Sequence, residues 1–154
     1  MYRCTSLTNI DLSRLRQLET IGNNFIVGCE NVSSIDLSNL TQLTAIGDNF
    51  MRDCRSLTII DFSNLTQLTA IGDNFIIFSN NLTSIDLSGL TQLTAIGNNF
   101  IRDCRNLTSI DFSGLTQLTF GNNFMKNCSS LLDIICSKDI KNKFRSNIRY
   151  IISI

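Results

Sequence analysis

An α/β solenoid of about six stacked coils, with short parallel strands and a helical cap at its C-terminal end, is the fold class this sequence predicts. Three observations carry that expectation: a repeat with a fixed period of 25 residues, apolar columns that recur at the same period, and an unbroken column of glycine. The chain has 154 residues, enough for one domain or one short repeat array. Its 43% hydrophobic and 17% charged residues exclude a disordered chain, and no apolar run approaches the length of a membrane helix. His, Trp and Pro are absent, which removes the commonest general base and every Ser-His or Cys-His nucleophilic pair. No enzyme activity and no cofactor are expected.

The repeats begin at Cys4, Cys29, Cys54, Ser79 and Cys104, and a partial one begins at Cys128. In the fourth coil the apolar columns are Leu82, Ile85, Leu87, Leu90, Leu93, Ile96 and Phe100, matched one period earlier by Leu57, Ile60, Phe62, Leu65, Leu68, Ile71 and Phe75. One such coil orders too many residues for the apolar surface it buries, so it needs neighbours above and below. The alternation Ile85-Asp86-Leu87-Ser88 predicts a strand with one buried face, strand A. Leu90 to Ile96 predicts a second, shorter extended segment. Gly22, Gly47, Gly72, Gly97 and Gly121 then mark a corner that calls for positive φ. After the corner, a short helical turn is expected to return the chain to the next Cys. Asn24, Asn49, Asn74, Asn99 and Asn123 form a further column whose amides are expected to hydrogen-bond up the stack.

These columns combine into L-T-x-I-D-[LF]-S-x-L-T-Q-L-T-A-I-G-x-N-F-x-x-x-C, carried from about Cys4 to Cys136, and the pattern resembles the BspA-like class of leucine-rich repeats. Ser38, Ser63 and Ser88 stand where that family has Pro after strand A, and Asn stands where it has Ala before the Phe. The resemblance implies a right-handed, curved solenoid that binds other proteins, with adhesion to host or matrix proteins as the typical role of surface-exposed members. The expected function is therefore a non-enzymatic protein-binding module acting through the strand A face. The alternative is a structural repeat segment of a longer surface protein with no specific partner of its own.

The ends differ from the middle. Residues 1–136 read as the solenoid and 137–154 as an amphipathic capping helix of the same domain, with Ile140, Phe144, Ile148 and Ile151 at helical spacing, Asp139 as N-cap, and Lys and Arg on the other face. Coil one has no such cap, so self-association or fraying is expected around Leu7, Ile10 and Leu12, protected only by Arg14, Arg16 and Glu19. The first residues, Met1-Tyr2-Arg3-Cys4, enter the repeat without a secretory leader. A complete chain would then be cytoplasmic, and a fragment would belong to the cell surface or a secreted protein. Formal charge is zero, and neither a nucleic-acid partner nor a transmembrane segment is expected.

Three sets of side chains are candidates for chemistry. Five of the six cysteines fall in one column or its continuation, and thiols strung along a line at about 4.8 Å per rung do not converge on a metal. All six are expected to stay reduced, buried and slow to react. Asp11, Asp36, Asp61, Asp86 and Asp111 recur at the outward position of strand A, forming an acidic stripe that a partner can contact. Arg52 and Arg55, at the end of coil two, and Arg102 and Arg105, at the end of coil four, each pair spanning the Cys that opens the next coil, flank Ile77 and Phe78. Either Phe78 folds inward to fill the space left where Ser79 replaces Cys, or it joins the arginines in a binding patch.

Overall fold

The computed structural model describes residues 1–144 and 152–153. The chain winds as a β-solenoid of about five turns, with up to three short parallel strands in each coil. The strand A column holds Ser34–Asp36, Ile59–Asp61, Ser84–Asp86, Ser109–Asp111 and Asp133–Cys136. A five-stranded middle sheet holds Thr20–Ile21, Ala45–Ile46, Ala70–Ile71, Ala95–Ile96 and Thr119–Phe120. A third sheet holds Ile26–Val27, Met51–Arg52, Ile76–Ile77 and Ile101–Arg102.

This third sheet replaces the expected helical return. Asn24, Asn49, Asn74, Asn99 and Asn123 sit in the left-handed region, at φ of 57, 52, 53, 49 and 54°, and swing the chain back toward the stack. The residues that follow then find partners on the next rung rather than within their own turn. Ile26 donates its N–H to the Phe50 carbonyl at 2.8 Å, Met51 to Phe75 at 2.9 Å and Ile76 to Phe100 at 2.9 Å. A helical turn would have bonded locally and left those carbonyls without donors.

The glycine column has a different cause from the one its sequence suggests. None of its members has positive φ; Gly28 alone among the described glycines does, at 68°. What the column supplies is room. A Cβ on Gly97 would lie 2.5 Å from the carbonyl carbon of Gly72 and 2.4 Å from Asp73 Oδ1, whereas one on Gly22, in the first coil, would meet nothing within 4 Å. Backbone rests on backbone at this corner. The next column, Asn23, Asp48, Asp73 and Asn98, locks the contact: each Oδ1 accepts the N–H of its counterpart one rung on, at 2.8, 2.8, 2.7 and 2.8 Å for Asp48, Asp73, Asn98 and Asn122. The side-chain ladder thus runs one residue before the column expected to carry it, where the described residues hold a single Asn99 to Asn74 amide bond at 3.3 Å.

The core is a set of vertical stacks. Phe25, Phe50, Phe75 and Phe100 lie ring over ring, with centroids 5.6, 5.0 and 5.2 Å apart, inside the favourable range for offset aromatic pairs. A second cluster of Phe112, Phe120, Phe124 and Phe144 closes the C-terminal end. The cap there is smaller than expected. Among the described residues only Lys138–Lys141 is helical, and Ser137, not Asp139, is its N-cap, accepting the Ile140 N–H at 3.4 Å. Ile152–Ser153 pairs as a strand with Ile135–Cys136, which covers the edge that the last strand A segment would otherwise expose. The expected helix through 154 is therefore not formed, and Ile148 and Ile151 lie outside the described residues.

The N-terminal end carries more cover than expected. Tyr2 bridges Val27, and Arg3 donates its N–H to the Val27 carbonyl at 2.7 Å, so Met1–Arg3 supply a partial extra rung to the third sheet. The strand A side of coil one has no such rung, and Leu15 there is 47% exposed. Backbone contact at the glycine corner makes a sharp expectation: Gly97→Ala lowers stability by about 1–3 kcal/mol through overpacking. Gly22→Ala changes it by less than about 0.5 kcal/mol. Urea unfolding of the two variants checks the contrast.

Candidate functional site on the strand A face

Each outward Asp is first a part of the fold. Oδ1 of Asp11, Asp36, Asp61, Asp86 and Asp111 accepts the N–H of the Ser two residues on, at 2.9, 2.8, 2.8, 2.8 and 2.7 Å. This Asx turn ends strand A and starts the next corner. Hydrogen bonding by the Ser13 and Ser38 side chains, and then by their backbone N–H groups, holds Asp11 and Asp36 below the ordinary carboxylate value. The second oxygen of each carboxylate carries no protein hydrogen bond among the described residues. The arrangement offers a row of anionic acceptors to donors from outside.

The row is not continuous. Ser34–Asp36 pairs with Ile59–Asp61, and Ser84–Asp86 pairs with Ser109–Asp111, but among the described residues no ladder joins coil three to coil four. A groove of about 310 Å³ opens there, lined by residues that include Ile60, Asp61, Asn64, Asp86 and Ser88. Coil three leaves its strand through a left-handed Asn64, φ 65°, which its counterparts Asn39, Gly89 and Gly114 do not share. A shallower gap of about 210 Å³ separates coils one and two near Asp11 and Asp36.

Two residues of the strand Ile59–Asp61 were missed by reading the columns as solvated or core. Ile60 is half-buried where Ile35, Ile85 and Ile110 are buried, because the neighbouring rung has drawn away from it. Ile59 is 58% exposed at a position held by Ser34, Ser84 and Ser109 in other coils. That single Ile in a column of Ser was the available signal.

The arginine edge is brought together as expected. Arg52, Ile77 and Arg102 are successive cross-strand neighbours in the third sheet, and Arg55 and Arg105 lie exposed on the turns that follow. Arg52 pairs with Asp53 at 3.4 Å and Arg102 with Asp103 at 2.9 Å, which reduces the free positive charge of the edge. Ile77 is buried, but Phe78 does not fold inward: it is 36% exposed. Its φ of 61° belongs to a column otherwise filled by Arg3, Gly28, Asp53, Asp103 and Asn127, and this left-handed geometry keeps the ring out of the Ser79 space. Ser79 Oγ is left buried without a hydrogen-bond partner among the described residues.

The cysteines are all free, and no metal-holding group of three or more His, Cys, Asp or Glu occurs among the described residues. Cys29, Cys54, Cys104 and Cys136 are buried and Cys128 is half-buried, but Cys4 is exposed because no full rung lies before it. Burial pushes the thiols of Cys54 and Cys104 up to about 12 and that of Cys128 to about 11.

With coil geometry, glycine corner and strand face in view, the family can be assigned. The model of the BspA type leucine-rich repeat region matches six copies, over residues 1–132 and 66–150. This chain belongs to that family. A leucine-rich repeat protein from Bacteroides ovatus, known from its crystal structure, superposes with a TM-score of 0.73 at 26% sequence identity. The match covers 88% of this chain and 33% of that protein, so the chain spans about a third of its length. No curated protein matches.

Four outcomes follow from these local geometries. A thiol reagent modifies Cys4 at once and the other five cysteines only after denaturant is added, read by mass spectrometry. The buried thiols hold their protons in the folded chain, so their contribution to stability is complete below the ordinary thiol value of 9.0. It is lost as pH rises from 9.0 toward about 12, and the urea midpoint falls over that range. At the coil three to four junction, Phe78→Asn relieves the left-handed strain and raises stability by about 1 kcal/mol. Ser79→Cys restores the thiol column and gains about 1 kcal/mol by removing the orphaned hydroxyl.

Proposed function

We propose that this chain is a non-enzymatic protein-binding module whose strand A face is the contact surface. The observation that carries the reading is the row of outward carboxylate oxygens left over by the Asx turns at Asp11, Asp36, Asp61, Asp86 and Asp111, on a rigid parallel scaffold. Binding constellations held by backbone ladders keep their geometry better than those on loops. The family supports a binding role by analogy of fold, with adhesion or host interaction as the form that the resemblance implies. The arginine edge is a second region of the same kind: Phe78, an exposed aromatic ring, follows the buried Ile77, whose cross-strand neighbours are Arg52 and Arg102, with Arg55 and Arg105 exposed on the turns beyond. The self-associating reading rests on Tyr2, 68% exposed, and Leu15 at the open side of coil one.

Asn retains the Oδ1 acceptor of the Asx turn and removes only the charge. The triple variant D36N/D61N/D86N is therefore expected to keep its melting temperature and to lose at least tenfold of its affinity for a captured partner. Binding unchanged in that variant, and also in an R55A/R105A variant, would favour a structural repeat segment without a partner of its own. Sedimentation equilibrium over a range of concentration reads the self-association directly, and Leu15→Lys is expected to abolish it.

A further inference from the structure

Resting on the strand-face reading above, we infer that the groove between coils three and four seats the basic side chain, arginine or lysine, of an extended partner segment lying across the solenoid. The middle and third sheets run without interruption past this point, so the gap in the strand A ladder is local and does not divide the core. Between Ile59–Asp61 and Ser84–Asp86 the backbone groups that other coils pair, such as the Leu37 N–H with the Asp61 carbonyl at 3.0 Å, have no counterpart bond among the described residues. The Phe62 N–H and the Asp86 carbonyl are left on facing walls.

At about 310 Å³ the groove lies at the small end of ligand sites, too small for a second strand and suited to one long side chain. Its walls match such a side chain in order. Ile60, opened by the gap and half-buried, offers apolar surface to a methylene stem. Asp61 and Asp86, one on each wall, offer the carboxylate oxygens not used in their Asx turns to the charged head. A guanidinium or ammonium also has donors for the unpaired Asp86 carbonyl. A neutral side chain would leave the two carboxylates without a counter-charge, and an acidic one would add a like charge between them.

Gly89 lines the groove, and a Cβ there would meet nothing within 4 Å; at Gly114, where the ladder is closed, it would lie 1.8 Å from the Ser88 carbonyl oxygen. The difference marks the groove as open space and supplies the test. Gly89→Phe fills the groove and leaves every carboxylate in place; Asn39→Phe places the same ring at the shallower gap between coils one and two. The probe is a set of synthetic pentapeptides, Val-Thr-Xaa-Thr-Val with blocked ends, in which Xaa is Arg, Lys, Gln or Glu, measured by fluorescence anisotropy on the full chain. The Arg and Lys peptides are expected to bind at least tenfold tighter than the Gln and Glu peptides. Gly89→Phe is expected to remove that preference, as D61N/D86N does, while Asn39→Phe keeps it. Gly89→Ala, which narrows the groove without closing it, guards against a folding defect, together with an unchanged circular-dichroism melt. Basic peptides that bind wild type and Gly89→Phe alike, but not D36N/D61N/D86N, would overturn the groove and leave the strand-face reading standing. Equal affinity for all four peptides, or none for any, would overturn the groove's preference for a basic side chain; the capture experiment on the strand face decides the broader reading separately.

Discussion

Every coil of this protein has to lie on the backbone of the coil before it, and the glycine corner is where that close contact recurs along the stack, at Gly47, Gly72, Gly97 and Gly121. With Gly72 carbonyl carbon and Asp73 Oδ1 both inside 3 Å of where a Gly97 Cβ would stand, no other residue keeps the rungs at strand spacing there. The rest of the repeat follows from that approach. The Asn and Asp carbonyl oxygens next to the corner reach the neighbouring N–H because the rungs are that close. The phenylalanines two or three residues later are carried into register, and their rings stack. The middle sheet and the third sheet each pair successive coils as parallel strands, from Thr20–Ile21 to Thr119–Phe120 in the one and from Ile26–Val27 to Ile101–Arg102 in the other. The two ladders thus tie each coil to the same neighbour at both corners.

Because those two sheets hold the stack, the strand A sheet is free to open. It does so at one prominent place, and that place collects the departures from the repeat. Ile59 stands in a column of Ser, Asn64 turns left-handed, Phe78 occupies a backbone geometry suited to Gly, Asp or Asn, and Ser79 buries a hydroxyl without a partner. All lie in coil three or at its junction with coil four. Of these residues Asn64 lines the groove between Asp61 and Asp86, whereas Ile59, Phe78 and Ser79 stand outside its lining.

The Asp column shows how one residue serves both levels. One carboxylate oxygen shapes the turn and the other faces outward, so the carboxyl group is bound to the fold while its charge remains available. The arginine edge divides its charge differently. Arg52 and Arg102 spend theirs on Asp53 and Asp103, and Arg55 and Arg105 are left exposed one turn further on. The two regions therefore differ in sign, acidic on the strand face and basic at the arginine edge.

By itself the sequence determined the repeat length, the buried columns and the outward course of the Asp column, because each is a period and a period is visible in one dimension; it counted about six coils where the structure winds about five turns. It also placed Arg52, Ile77 and Arg102 in one line, since positions 25 apart become neighbours once the stack forms. Only the tertiary structure decided what the columns are for. Whether glycine supplies positive φ or space depends on the distance to the rung below, and Asn rather than Gly took the left-handed corner. Whether a return segment is helix or strand depends on where its N–H groups find carbonyls, and here they found them on the next coil. The groove at Ile60, Asp61 and Asp86 belongs to the same class: a missing ladder is a relation between two coils, and no residue within either one records it.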